Sequence, residues 1–176
     1  MLPHITFILG GARSGKSKFA ESLTKNYQSR RIYCATAENR DEEMKRRIAL
    51  HQSRRDPDWH LVETPIHLSD SLLKYGKEGN VVLVECLTLW LNNLLVRELS
   101  LAQQRAEFIA ALPHVKGSLI FVSNEVGLGI VPIHKLARQF QDEAGLLHQE
   151  LAQIADDVYF VTAGLPLRLK GRRETQ

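Results

Sequence analysis

The sequence predicts a doubly wound α/β fold with a mainly parallel sheet, and three observations carry that prediction. Apolar, β-rich runs alternate with helical patterns along the whole chain. Most of those runs are continuously apolar, as strands buried on both faces of a parallel sheet must be. The first run, Ile5–Leu9, leads into Gly10-Gly11-Ala12-Arg13-Ser14-Gly15-Lys16-Ser17 and then a helical stretch. This is a complete G-x-x-x-x-G-K-[ST] phosphate-binding loop in the strand–loop–helix context that gives the motif its meaning. The expected architecture is therefore a P-loop NTPase-type, RecA-like sheet in a single domain spanning residues 1–176.

Each element follows from local pattern. Strands are expected at Ile5–Leu9, Arg31–Thr36, Val81–Glu85, Ser118–Ser123 and Val158–Thr162. Helices are expected at Lys16–Tyr27, Asp41–Gln52, His67–Tyr75, Thr88–Glu98, Gln103–Leu112 and Lys135–Ala155. The last carries Leu136, Phe140, Ala144, Leu147, Leu151 and Ile154 at spacings of three and four, one apolar stripe, with Gly145 inside it as a candidate bend. Leu165-Pro166-Leu167-Arg168-Leu169 reads as a short edge strand, where proline is tolerated.

Composition narrows the function classes. With 44% hydrophobic and 24% charged residues in 176, the chain has the makings of a full core. A net charge of +3 is too balanced to argue for nucleic acid, and no aromatic-basic platform accompanies it. Cys34 and Cys86 sit in or beside apolar strands and read as buried free thiols rather than a disulfide or a metal framework. The most apolar stretch, 81–96, is broken by Glu85, Asn92 and Asn93, so no membrane span is expected. A cytoplasmic, soluble protein is the expectation.

The phosphate loop assigns chemistry directly. Gly10 to Ser17 would cradle a nucleotide triphosphate with backbone N–H groups, Lys16 would reach the outer phosphates, and the Ser17 hydroxyl would ligate Mg²⁺. Glu85 ends a buried strand, the position from which a phosphate-loop fold holds Mg²⁺ or its water shell. The competing reading is a carboxylate that caps the next helix. Asn124 to Pro132 follow another strand end and carry Gly127 and Gly129 in an apolar loop, consistent with close approach of a ligand or with a plain crossover.

Residues 41–55 hold the second informative pattern. Asp41, Glu42 and Glu43 suit a helix first turn, and Pro57 follows the last arginine. On that helix His51 lies one turn from Arg47, with Arg54 and Arg55 beyond it. Neighbouring cations keep an imidazole neutral and nucleophilic, and the same guanidinium groups suit phosphate oxygens. By itself the pattern is better described as a basic helix with an incidental surface histidine.

Together these residues resemble the bifunctional adenosylcobinamide kinase / adenosylcobinamide-phosphate guanylyltransferase family of cobalamin biosynthesis. The likeness runs through the loop in its G-G-A-R-S-G-K-S form, Tyr33 to Ala37, the Asp41–His51 segment, and Val62-Glu63-Thr64-Pro65. It continues through Glu85 to Leu95, Ser123 to Pro132, and Ala163 to Leu167. The resemblance implies phosphorylation of adenosylcobinamide with ATP or GTP. Transfer of GMP from GTP to adenosylcobinamide phosphate would follow, through a GMP carried on His51. It also implies nucleotide contacts from Thr36, Ala37, Glu38, Gln52, Ser53, Arg54, Arg55, Glu63 and Glu85, and a homotrimer. The chain departs from the family pattern at Gln141, where an arginine is expected, at His148 in place of asparagine, and at Glu85 in place of the commoner aspartate. Two other classes compete: a small-molecule kinase in which His51 is a bystander, and a nucleic-acid-stimulated ATPase.

Overall fold

The computed structural model describes residues 4–25, 27–38 and 58–171. Seven strands form one sheet, β1 (Ile5–Gly10), β2 (Arg30–Ala35), β3 (His60–Glu63), β4 (Asn80–Glu85), β5 (Ser118–Asn124), β6 (Asp157–Thr162) and β7 (Leu165–Lys170). Their order across the sheet is β3-β2-β4-β5-β1-β6-β7. Every pairing is parallel except the β6–β7 hairpin at the edge. The expected doubly wound architecture is present, with β1 inside the parallel set between β5 and β6.

The helices are α1 (Lys16–Thr24), α2 (Leu68–Tyr75), α3 (Leu87–Val96), α4 (Leu101–Ala111) and α5 (Lys135–Ile154). α1 covers one face, where Ala20 meets Ile8, Tyr33, Leu83, Ile120, Val122 and Val161. The other four helices bury Leu68, Leu72, Trp90, Leu94, Phe108, Leu147 and Leu151 against Phe7, Val82, Val84, Leu119 and Phe121. Strand residues of alternating parity therefore feed two cores, which is why the strands read as unbroken apolar runs. Phe108 bridges the second core, 5.4 Å from both the Trp90 and Phe121 ring centroids. Each such pair adds roughly 0.5–1.5 kcal/mol beyond its buried area.

Four sequence expectations change. β3 is a strand that the pattern did not reveal, because only four residues pair and His60, Leu61 and Glu63 are exposed. α1 stops at Thr24, where Lys25 N–H bonds the Ser22 carbonyl and Tyr27 N–H the Thr24 carbonyl in successive turns. α3 starts one residue early, at Leu87. α5 continues through Gly145 as one helix. The expected helix at Asp41–Gln52 lies outside the described residues.

Candidate active site

The carboxyl ends of β1, β5, β4 and β2 lie side by side, and register brings their last residues level. Gly10 pairs with Asn124, Glu85 with Val122, and Ala35 with Glu85. The phosphate loop springs from this edge. A Cβ on Gly10 would stand 2.5 Å from both Ser14 Oγ and the Val161 carbonyl, so only glycine fits. Gly15 takes φ 96°, a left-handed conformation that starts α1 without strain in a residue lacking Cβ. Arg13, at φ 56°, adopts the same region with a full side chain at the tip of the loop.

Lys16 is buried, and its Nζ donates to the Gly11 carbonyl at 3.2 Å, folding the ammonium back over the loop. Ser14 Oγ is buried with no hydrogen-bond partner among the described residues. A buried hydroxyl left this way is costly unless a ligand completes it, as a phosphate oxygen would. The Ser14 carbonyl accepts from Gly164 N–H at 2.8 Å, so the β6–β7 turn braces the loop from the side.

Ser17 Oγ donates to Glu85 Oε1 at 2.7 Å, bringing the two expected metal residues together across 68 positions of sequence. Among the described residues no group of three His, Cys, Asp or Glu side chains stands close enough to hold a metal alone. One carboxylate and one hydroxyl are hard oxygen donors that suit Mg²⁺ sharing its shell with phosphates and water. The residues therefore fit such an ion.

Thr36 is fully buried and its hydroxyl clamps the turn after Glu85: it accepts from Cys86 N–H at 2.7 Å and lies 2.8 Å from the Cys86 carbonyl. Ala37 follows, half-buried, and Glu38 is held by a two-pronged pair with Arg97 at the end of α3. Glu63 ends β3 beside Ala35. The loop, Thr36–Glu38, Glu63 and Glu85 thus share one edge of the sheet. His51, Gln52, Ser53, Arg54 and Arg55 lie outside the described residues.

Sequence reasoning passed over Asn93, whose Nδ2 donates to the Thr36 carbonyl at 2.7 Å and to that of Pro65 at 3.1 Å. The signal was there: an amide at a buried position of an otherwise apolar helix. On the other flank of the loop a cavity of about 640 Å³ is lined by Gly11–Ser14, Glu125, Val126, Leu128, Gly129 and Phe160–Ala163. Glu125 N–H donates to the Gly10 carbonyl at 3.0 Å, and its carboxylate accepts from Gly127 N–H. His148 lies buried under this end of β5, 2.8 Å from Ser123 Oγ. Burial pulls its pKa down to about 4, against a smaller opposing effect of Glu125, so the ring is neutral at pH 7. Burial likewise raises both thiols, Cys34 to about 12, which makes them inert.

With this geometry in hand, likeness to known proteins becomes informative. A family model described as cobinamide kinase / cobinamide phosphate guanyltransferase matches residues 6–169. The chain belongs to that family. It is 46% identical over 166 residues to a bifunctional adenosylcobalamin biosynthesis protein of Pseudomonas aeruginosa, covering 93% of this chain and 96% of the relative. The Escherichia coli protein of the same description is 36% identical over 178 residues, with 93% and 98% covered. A solved structure from Pyrococcus horikoshii OT3 shares the fold alone, at 7% identity and a TM-score of 0.55 over 97% of this chain and 88% of that one. Membership of the cobinamide kinase / cobinamide phosphate guanyltransferase family makes this chain a nucleotide-using enzyme of cobalamin biosynthesis. No helix among the described residues is long and apolar enough to cross a membrane.

Proposed function

We propose that one domain, residues 1–176, phosphorylates the aminopropanol hydroxyl of adenosylcobinamide with ATP or GTP and then transfers GMP from GTP to that phosphate, through a GMP carried on His51. Cobinamide kinase and cobinamide-phosphate guanylyltransferase are the two activities of its family. The observation that carries the chemistry is the phosphate loop, with Lys16 folded over it and Ser17 on Glu85 at 2.7 Å.

In the kinase step the substrate oxygen bonds to the γ-phosphorus as the bond to the β-phosphate oxygen breaks. Lys16 leaves its carbonyl partner to neutralise the outer phosphates, and the loop N–H groups hold the rest. Glu125, which lines the cavity, would take the hydroxyl proton in this reading. Mg²⁺ held by Ser17 and Glu85 would supply charge neutralisation across the phosphates. In the transfer step the neutral imidazole of His51 attacks the α-phosphorus, pyrophosphate leaves, and the cobinamide phosphate oxygen then displaces the imidazole. Thr36, Ala37, Glu38, Gln52, Ser53, Arg54, Arg55 and Glu63 would contact nucleotide in this reading. A homotrimer in the cytoplasm completes it, with light scattering as the check on trimer mass.

The experiment is incubation with GTP radioactive in its α-phosphate. An adduct on His51 that survives alkali and is lost in acid is expected, since protonating the ring makes it a good leaving group. Full transferase turnover without any adduct would overturn the covalent step. In the same assays His51→Ala should abolish GMP transfer yet retain kinase activity. Retention of both would leave a kinase with a bystander histidine and a different route for GMP.

A further inference from the structure

Three consecutive residues at the end of β5 reach three different parts of the molecule. Ser123 bonds His148 of α5, and Glu125 N–H bonds the Gly10 carbonyl at the base of the phosphate loop. Asn124, between them, turns its side chain toward β4. Its Nδ2 donates to Thr88 Oγ1 at 2.9 Å, its backbone N–H points to the same oxygen at 3.4 Å, and Cys86 Sγ lies 3.8 Å from Nδ2.

The proton inventory of Thr88 follows. Two N–H groups approach its lone pairs, so its own hydroxyl proton is left to donate, and Cys86 Sγ at 3.2 Å is the acceptor in reach. Cys86 is in turn fixed on its backbone side by Thr36. Thr36, Cys86, Thr88 and Asn93 are all buried, so water offers these groups no ready substitute. The Glu85–Cys86 turn is thus gripped from both flanks, by Thr36 on β2's side and by the Thr88–Asn124 pair on β5's side. In the sheet β5 stands between β4, which carries Glu85, and β1, which carries the loop. The end of β5 is therefore one of the supports that fix the strand end carrying the carboxylate, beside the direct Ser17 bond and the Thr36 clamp.

We propose that Asn124, acting through Thr88, is the positioning residue that holds the Glu85 carboxylate at Ser17, and so sets the affinity of this corner for Mg²⁺ bound with nucleotide. The inference rests on the reading of Ser17 and Glu85 as the metal-holding pair. Neither Asn124 nor Thr88 touches the reacting atoms. Their effect is on where the carboxylate stands, passed on through Cys86, the next residue in the chain; losses of ten- to a hundredfold in metal affinity are the usual scale for partners that bond a ligand directly.

The test uses the full chain and three variants. Thr88→Val keeps the volume and removes the hydroxyl, Asn124→Ala removes the donor, and Thr88→Ser restores the hydroxyl alone. Two quantities are read: the Mg²⁺ concentration for half-maximal kinase rate, and binding of Mn²⁺ to the protein–ATP complex followed by its electron spin resonance signal. Thr88→Val and Asn124→Ala should each raise the half-maximal Mg²⁺ concentration and the Mn²⁺ dissociation constant by roughly tenfold. Metal-free ATP affinity should stay within about twofold, kcat should recover at saturating Mg²⁺, and Thr88→Ser should restore most of the loss. The double variant Thr88→Val/Asn124→Ala should be no worse than either single one, because the two act on one link. Glu85→Gln is the control that separates the layers. If it leaves the metal titrations unchanged, the metal reading of the corner fails. If it shifts them while Thr88→Val does not, the positioning role alone is overturned. Should Asn124→Ala fail to fold, the isosteric Thr88→Val decides.

Discussion

The two sides of the β5 terminus are built on opposite plans. Toward β4, the polar side chains of Thr36, Thr88, Asn93 and Asn124 knot the strand ends together in a buried corner. Toward α5 and β7, the chain shows a rim of bare apolar groups, with Leu128 82%, Ile130 97% and Ile133 91% exposed. Backbone there is tethered by few side chains, Arg138 to the carbonyls of Pro132 and Ile133, and Gln141 to that of Val126. The difference teaches where composition misleads. The polar residues of the corner hold the fold, and the apolar residues of the rim contribute no burial to it.

Removing the ammonium of the loop beside the corner should have the largest effect. Lys16→Ala removes the buried ammonium and should lower kcat in both the kinase and the transferase assay by roughly 10²–10³-fold. Circular dichroism should show the fold intact. Wild-type turnover in both assays would place the phosphate-binding charge elsewhere.

Next comes acid. His148 binds its proton with a pKa near 4 in the fold and near 6.5 when unfolded. The unfolded state therefore takes up more protons as pH drops through 6.5, and stability falls until about pH 4, where both states are charged. The loss over that window is of order 3 kcal/mol. His148→Asn should flatten the curve of stability against pH between 6.5 and 4, and an unchanged slope would assign the acid sensitivity to other groups.

Thr36→Val is smaller in scale. It strands the Cys86 N–H in a buried site at a cost of about 1–3 kcal/mol, measurable by urea unfolding. The rim gives the smallest effect. Ile130→Ser and Ile133→Ser should each change monomer stability by less than about 0.5 kcal/mol, because almost no surface is buried to lose. A drop of 2 kcal/mol in either would erase the contrast between the two sides.

How much of this was legible in the sequence follows the same division. Continuous apolar runs disclosed five parallel strands, because burial on two faces writes itself into composition, while the edge strand was read from the alternating leucines around Pro166 although all six of its residues are exposed. The phosphate loop and Glu85 were legible because their chemistry is local or sits at a strand end. β3 was not, since four residues at an edge have neither the length nor the burial to leave a period. Asn93, Thr88 and Asn124 carried no role in the sequence reading, because the bonds Asn93–Thr36 and Thr88–Asn124 span 57 and 36 residues and only strand register brings those partners together.

The brace between Gly164 and Ser14 has a consequence for synthesis. β1 takes β5 on one side and β6 on the other, and a Cβ on Gly15 would already stand 3.0 Å from Gly164 Cα. Residues 10–17 leave the ribosome long before residues 157–164, yet their finished shape depends on them. Until residues 157–164 are made, the loop lacks this brace and β1 lacks its β6 neighbour. Closure is a long-range event, of the kind that makes folding slow. The hairpin that arrives late supplies the last brace on the glycine-rich loop.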